Sequence, residues 1–323
     1  GYLIKKSYFK IYNDRIQSFN DFMNNPNSLG NVDQEDYIEL RKLGESLFTV
    51  ELIYHIERCE LFALKKQKMI DIEFPKLYER EKSNYEKFKH PFIPKFYGIV
   101  KNNDSDFLII EFINGKTLKD YKFDGYDEKD IIIIIIKLLF IVEFIHDKNF
   151  LIRDLKPKNL MITGKNDIVM IDFDRVINES TRTHSHDIQN EYAAPEVNSR
   201  ELYSYKSDIY SLGKVIEFIM KKTNVKIEMS TINDIIEQCL QENYDQRPSI
   251  KTIIHIFFDK FWNISFKGLN KNLIISSVLS VLTISDNPEI QFKIGVIYHK
   301  GEYVKRDINK AIYYYSLASN QNY

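Results

Sequence analysis

Arg153, Asp154, Lys156 and Asn159 fall within seven positions, between an apolar run ending at Ile152 and the apolar Leu160-Met161-Ile162. Pro157 stops any regular element from running through them. Polar groups confined in this way read as a loop held rigid by its flanks, the usual setting for catalytic side chains. Just beyond, Leu160–Thr163 and Ile168–Ile171 have strand composition, and Gly164-Lys165-Asn166-Asp167 is turn chemistry. This reading pairs Thr163 with Ile168 and Leu160 with Ile171, and sets Asn159 opposite Asp172 at the open end of the hairpin. Two oxygen ligands side by side suit a magnesium ion whose other positions are filled by phosphate and water. The plainer alternative is a polar loop followed by an ordinary hairpin.

Other elements must position these groups. Leu61-Phe-Ala-Leu-Lys65 alternates as a strand does, so Ala63 and Lys65 share a face. From Pro75 to Lys89 the spacing predicts a helix, with proline at its favoured start. Leu77, Tyr78, Tyr85 and Phe88 form its apolar stripe, and Glu81 falls on the same stripe. An acid on a buried face requires a partner; the alternative is a solvated Glu81 with Glu79 doing the pairing. Ile131 to Ile145 holds six consecutive isoleucines, yet is too short for a membrane span and contains Lys137 and Glu143. It reads as a helix buried in a large core.

Composition excludes several classes of function. With 45 basic against 46 acidic residues, net charge −1, the chain has no basic excess for nucleic acid or an anionic membrane surface. Its two cysteines, Cys59 and Cys239, form no metal-ligand spacing and predict reduced thiols in a cytoplasmic protein. His184, His186 and Asp187 lack the further ligands a metal cluster needs and read as solvated loop residues. Gly1 stands in place of Met with no signal-peptide pattern, which predicts a fragment of a longer protein.

The segment Ile152-Arg-Asp-Leu-Lys-Pro-Lys-Asn159 resembles the catalytic loop of eukaryotic protein kinases, H-R-D-L-K-x-x-N, with Ile152 in place of histidine. The companion motifs follow in order. Asp172-Phe-Asp174 stands where the family has D-F-G, and Ala194-Pro-Glu196 matches A-P-E. Ser207-Asp208 opens a segment like D-x-W-S-x-G, and Arg247 lies in the late segment whose Arg pairs with the A-P-E Glu. Lys156, two places after Asp154, is the serine/threonine form of the loop. The resemblance covers about 36–261 and implies an α+β, two-lobed kinase fold, with a small β-rich lobe and a larger helical one.

It implies transfer of the ATP γ-phosphate to a protein Ser or Thr hydroxyl. Asp154 would be the base and Lys156 the charge neutraliser. Asn159 and Asp172 would be the magnesium ligands, and Lys65–Glu81 the nucleotide clamp. Leu43 to Val50 takes the place of the phosphate-covering loop; Gly44 matches a glycine, while Ser46 and Thr49 replace the other two, and a plain hairpin is the alternative. Val50 and Ala63 would line the nucleotide site, Ile110 would be the gatekeeper, and the backbone of Glu111 and Ile113 would hold adenine. Asp208 would brace the catalytic loop, and Glu196–Arg247 would be a structural pair. Arg153 would meet a phosphate on the activation segment, at Ser185 or Thr183, unless Asp187 pairs with it instead. Ile188-Gln189 replaces the usual Gly-Thr.

The thin glycine loop, Ile152, Asp174 and Ile188-Gln189 feed a rival reading, a pseudokinase scaffold that binds partners without phosphoryl transfer. A small-molecule phosphotransferase is disfavoured by the A-P-E motif and the Ser/Thr-rich segment before it.

Residues 1–35 read as an extension ending in a linker and 262–286 as a connecting helical segment. Residues 287–323 resemble a Sel-1-like repeat, related to the tetratricopeptide class. Ile294, Gly295, Tyr298, Gly301, Asp307, Lys310, Ala311, Tyr314 and Ala318 carry that pattern. A kinase-capping helical hairpin is the alternative. Such repeats bury their faces by stacking, which predicts further repeats beyond this one and a protein partner for the module.

Overall fold

A computed structural model describes residues 30–32, 34–45, 48–67, 74–101, 106–164, 167–181, 190–199, 203–223, 229–261, 288–301 and 305–321. Strands β1 (Gly30–Val32), β2 (Tyr37–Glu45), β3 (Phe48–His55), β4 (Glu60–Gln67), β5 (Phe96–Val100) and β6 (Phe107–Glu111) form one sheet in the order β1-β5-β6-β4-β3-β2. Strand alternation gives this sheet two different faces. On one, Ile53 lies opposite Phe62 and Leu64 opposite Ile109, and with Tyr37 and Val100 they make a sealed apolar cluster. On the other, Ala63 sits between Leu52 and Ile110, and Lys65 between Val50 and Leu108.

The sheet has to curl. Strands β1 and β2 occupy opposite edges, a separation of ~24 Å in a flat sheet at normal strand spacing. The chain from Val32 to Tyr37 reaches only ~18 Å when fully extended. The two edges therefore swing toward each other. Strand β1 runs parallel to β5, with Gly30 opposite Gly98 and Val32 opposite Val100. This corrects one reading of the sequence: the end of the expected linker is a strand of the sheet.

Helix α1 (Phe74–Lys87) begins one residue before Pro75 and buries Tyr78, Glu81, Asn84 and Tyr85 on one stripe. Helix α2 (Glu128–Asp147) is the isoleucine-rich segment. An Asp127–Asp130 capping box starts it, and Ile131 to Val142 are at most 5% exposed. Buried Lys137 is neutralised by Asp167. Among the described residues, no helix is long and apolar enough to cross a membrane.

Short strands β7 (Lys116–Thr117), β8 (Phe150–Leu151), β9 (Leu160–Thr163), β10 (Asp167–Met170) and β11 (Ile177–Asn178) carry the loops. The β9–β10 hairpin differs by one residue from the register expected. Thr163 pairs with Asp167 and Leu160 with Met170, so Asn159 lies opposite Ile171, whose amide donates to Asn159 O at 3.0 Å. Two causes are visible. Gly164, directly after Thr163, takes φ +57°, a conformation glycine adopts without strain. Asp167, read as turn, is drawn into the strand where its carboxylate meets Lys137.

Helices α3 (Pro195–Asn198), α4 (Tyr205–Lys222), α5 (Met229–Cys239) and α6 (Ile250–Phe261) complete the large lobe. Helices α7 (Pro288–Lys300) and α8 (Ile308–Ser319) form a tight pair. A side chain at Gly295 would sit 2.6 Å from the Tyr315 ring, and Tyr298 stacks on Tyr314 at 5.9 Å. Gly301 ends α7 at φ +68°, and Asp307 caps α8 by accepting from the Lys310 amide. The expected connecting segment, 262–286, lies outside the described residues.

Candidate active site

Lys65 is brought to the site by strand parity and Glu81 by the helical stripe. Lys65 Nζ lies 2.6 Å from Glu81 Oε1 and 3.0 Å from Asp172 Oδ1, and 4.3 Å from the centre of the Phe48 ring. Glu81 is fully buried and Glu79 is exposed, which decides between the two candidates. Phe173 holds Asp172 in this position, packed edge-on against Tyr85 at 5.1 Å and tilted against Phe88 at 5.7 Å.

Three acids surround this one lysine. Burial works against the Lys65 charge, but Asp172, Glu81 and Asp174 outweigh it and hold its pKa above the ordinary lysine value. Burial pushes Glu81 up to about 8 against the pull of Lys65, with Asp172 and Asp174 adding to the rise. Burial and the neighbouring Asp172 raise Asp174 to about 6. The cluster carries a surplus of negative charge that a cation would relieve.

The loop from 152 to 159 is held from behind. Asp208, fully buried in α4, accepts from the amides of Ile152 and Arg153, both at 2.9 Å, and from Tyr203 Oη at 2.7 Å. His146 Nε2 lies 2.9 Å from the same carboxylate. These bonds hold Arg153 at φ +68°, a conformation that costs a non-glycine residue energy and needs such support. Ile152 is fully buried in the apolar core. In front, Lys156 Nζ lies 2.6 Å from Asp154 Oδ2, and Asn159 Nδ2 donates to Asp154 O at 3.0 Å and to Oδ2 at 2.9 Å. Burial raises the Asp154 pKa, and the bonds from Lys156 and Asn159 offset part of the rise.

The donors here fit magnesium. Asn159 uses Nδ2 for both bonds, leaving its amide oxygen for a cation, and Asp172 offers a partly exposed carboxylate. Magnesium is commonly bound by one or two protein oxygens plus substrate phosphates. Among the described residues no group of three or more His, Cys, Asp or Glu could hold a metal ion by itself.

Of the remaining expected residues, Val50 lies opposite Gly44 and opposite Lys65, and Ile110 opposite Ala63. Gly44 has open space where a side chain would be. The Glu111 amide donates to Lys95 O at 2.8 Å, and Ile113 O accepts from Gly115 at 3.0 Å, fixing the exit from β6. Ser46, Thr183, Ser185, Asp187, Ile188 and Gln189 lie outside the described residues.

Glu196 and Arg247 form a buried bidentate pair, Nη1–Oε1 2.7 Å and Nη2–Oε2 2.8 Å. Arg247 also donates to the carbonyls of Gln241, Lys206 and Glu242, and Ser207 Oγ donates to Glu196 Oε1 at 2.8 Å.

Sequence reasoning missed a basic pocket. Arg80 and Lys87 of α1, two turns apart, line it with Arg153, Ser83, Asn84 and Thr181, in a volume of about 360 Å³. Arg153 Nε is buried there without a hydrogen bond among the described residues, and burial together with Arg80 and Arg175 lowers the Arg153 pKa. The i, i+7 spacing of Arg80 and Lys87 was the available signal.

Residues 37–228 match the protein kinase domain model. The chain belongs to the protein kinase family. Residues 288–323 match the Sel1 repeat. The chain is similar to the carbon catabolite-derepressing protein kinase of Saccharomyces cerevisiae, 30% identical over 217 residues, 62% of this chain and 33% of that protein. It is also similar to the serine/threonine-protein kinase PrkC of Bacillus subtilis, 29% identical over 152 residues, 45% of this chain and 24% of that protein. A third similar protein is the putative ribosomal protein S6 kinase alpha-1 of Caenorhabditis elegans, 26% identical over 224 residues, 65% and 28% of the two chains. The chain thus spans about a quarter to a third of the length of these relatives. Lys65 contacts Glu81 and Asp172, and Asp172 acts electrostatically on Asp154, which Lys156 and Asn159 hold.

Proposed function

We propose that this protein is a serine/threonine kinase that moves the γ-phosphate of ATP onto hydroxyls of protein substrates, with the Sel1 helix pair as a protein-binding module. One observation carries the reading: Lys65 already touches both Glu81 and Asp172, while Asp154 is held by Lys156 and Asn159. In this reading Lys65 binds nucleotide phosphate and Glu81 fixes its direction. Asp154 accepts the hydroxyl proton at its carboxylate, and Lys156 neutralises charge on the transferring group. Asn159 and Asp172 would hold magnesium, which would neutralise phosphate charge. Ile152 and Asp174 remove none of these groups. Mixing the protein with magnesium-ATP and generic protein substrates, wild type against Asp154→Asn, tests the proposal.

The basic pocket supports regulation by phosphate. A phosphorylated Ser185 or Thr183 would bring about −1.5 to −2 charges to Arg80, Lys87 and Arg153. Replacing Thr183 and Ser185 together by alanine lowers the rate ~10-fold or more, the scale of one or two charge-assisted hydrogen bonds. Phosphatase treatment lowers the wild-type rate similarly, and intact-mass analysis shows phosphate lost. Undiminished activity in the double variant rules this regulation out.

A further inference from the structure

Helix α1 gives the segment after Ile171 more than Glu81. Tyr85 Oη donates to Ile171 O at 2.9 Å. Asn84 Nδ2 donates to Phe173 O at 3.0 Å and to Val176 O at 2.9 Å, and Arg80 Nη1 reaches Asp174 O at 3.3 Å. One bond runs the other way, from the Phe173 amide to Glu81 Oε1 at 3.4 Å. Residues 171–176 lie outside helix and strand. Their carbonyls need partners from elsewhere, because a buried backbone group left unpaired is costly. Side chains of one helix supply them. Asn84 is 2% exposed and spends one amide nitrogen on two carbonyls, a geometry that holds only while helix and segment keep their relative position.

We propose that Asn84 and Tyr85 are positioning residues, a polar latch that ties helix α1 to the segment carrying Asp172, so that the Lys65–Glu81 clamp and Asp172 are assembled before nucleotide arrives. Apolar packing of Phe173 alone would allow the segment to slide or the helix to turn; the directional bonds fix both. The consequence for catalysis rests on the kinase reading, whereas the latch itself is a property of the nucleotide-free chain.

Hydrogen exchange of the full chain without nucleotide tests it, with Tyr85→Phe, which keeps the ring on Phe173, and Asn84→Leu, which keeps the size and removes both donors. The amides of residues 172–178 exchange roughly five- to tenfold faster in each variant, the factor for losing about one net hydrogen bond. Those of helix α4 do not change. The KM for ATP rises severalfold while kcat at saturating magnesium-ATP stays near wild type, since only a fraction of the free protein is then competent to bind. Unchanged exchange at 172–178 in both variants overturns the latch, as does equal acceleration in α4. Faster local exchange in a chain that shows no phosphoryl transfer upholds the latch and removes the kinase reading instead.

Discussion

Asp172→Ala abolishes phosphoryl transfer and leaves the fold standing. The carboxylate is partly exposed and, among the described residues, makes one ion pair, to Lys65, which keeps its partner Glu81 when Asp172 is gone. Removing one acid from a cluster with surplus negative charge does not weaken the lobe, so the melting temperature moves by no more than ~2–3 °C, the equivalent of about 1 kcal/mol. The rate falls by ~10²–10³-fold or more, the scale of losing one preorganised stabiliser of transition-state charge. Steady-state assays with thermal melts on the same sample check both halves. Activity equal to wild type would sink the assignment of Asp172 as a metal ligand.

Arg247→Met has the opposite profile, a large loss of stability far from the chemistry. It strands the buried Glu196 carboxylate and leaves the carbonyls of Gln241, Lys206 and Glu242 without their donor. Breaking one side of a buried pair costs about 3–5 kcal/mol, so the melting temperature falls by on the order of 10 °C. Adding Glu196→Met recovers part of the loss, because two apolar side chains avoid the unpaired charge. The pH dependence has a definite sign. Burial alone would raise the Glu196 pKa, but hydrogen bonds from Arg247 and Ser207 hold it below the ordinary value. The pair therefore stabilises above the unfolded glutamate pKa of ~4.3 and is lost as pH falls through the lower folded value. Melts of wild type and Arg247→Met converge under acid; a gap that stays constant down to pH ~2 would contradict this account.

The site was legible where chemistry crowds into one stretch. Asp154, Lys156 and Asn159 are neighbours in sequence, and Glu81 announced itself as an acid on an apolar stripe. The hairpin register was not legible, because Asp167 has turn composition and only the buried Lys137, thirty residues earlier, draws it into β10. Strand β1 was hidden for a related reason: Gly30-Asn31-Val32 has no alternation, and backbone pairing to β5 asks for none. Neither His146 nor Tyr203 stood out, since what marks each is its bond to Asp208, which no sequence spacing shows. The basic pocket and the latch draw on α1 and on the loops after 152 and 171, which no linear pattern places side by side.

The most direct measurement is transfer of label from γ-radiolabelled ATP with magnesium to generic protein substrates, wild type against Asp154→Asn. The variant keeps the side-chain shape and its loop but loses the proton acceptor. Wild type labels serine and threonine residues, and Asp154→Asn does so ~10²–10⁴-fold more slowly, the contribution of a positioned general base. Wild-type labelling no greater than that of Asp154→Asn would contradict the account and leave the chain a kinase-fold scaffold.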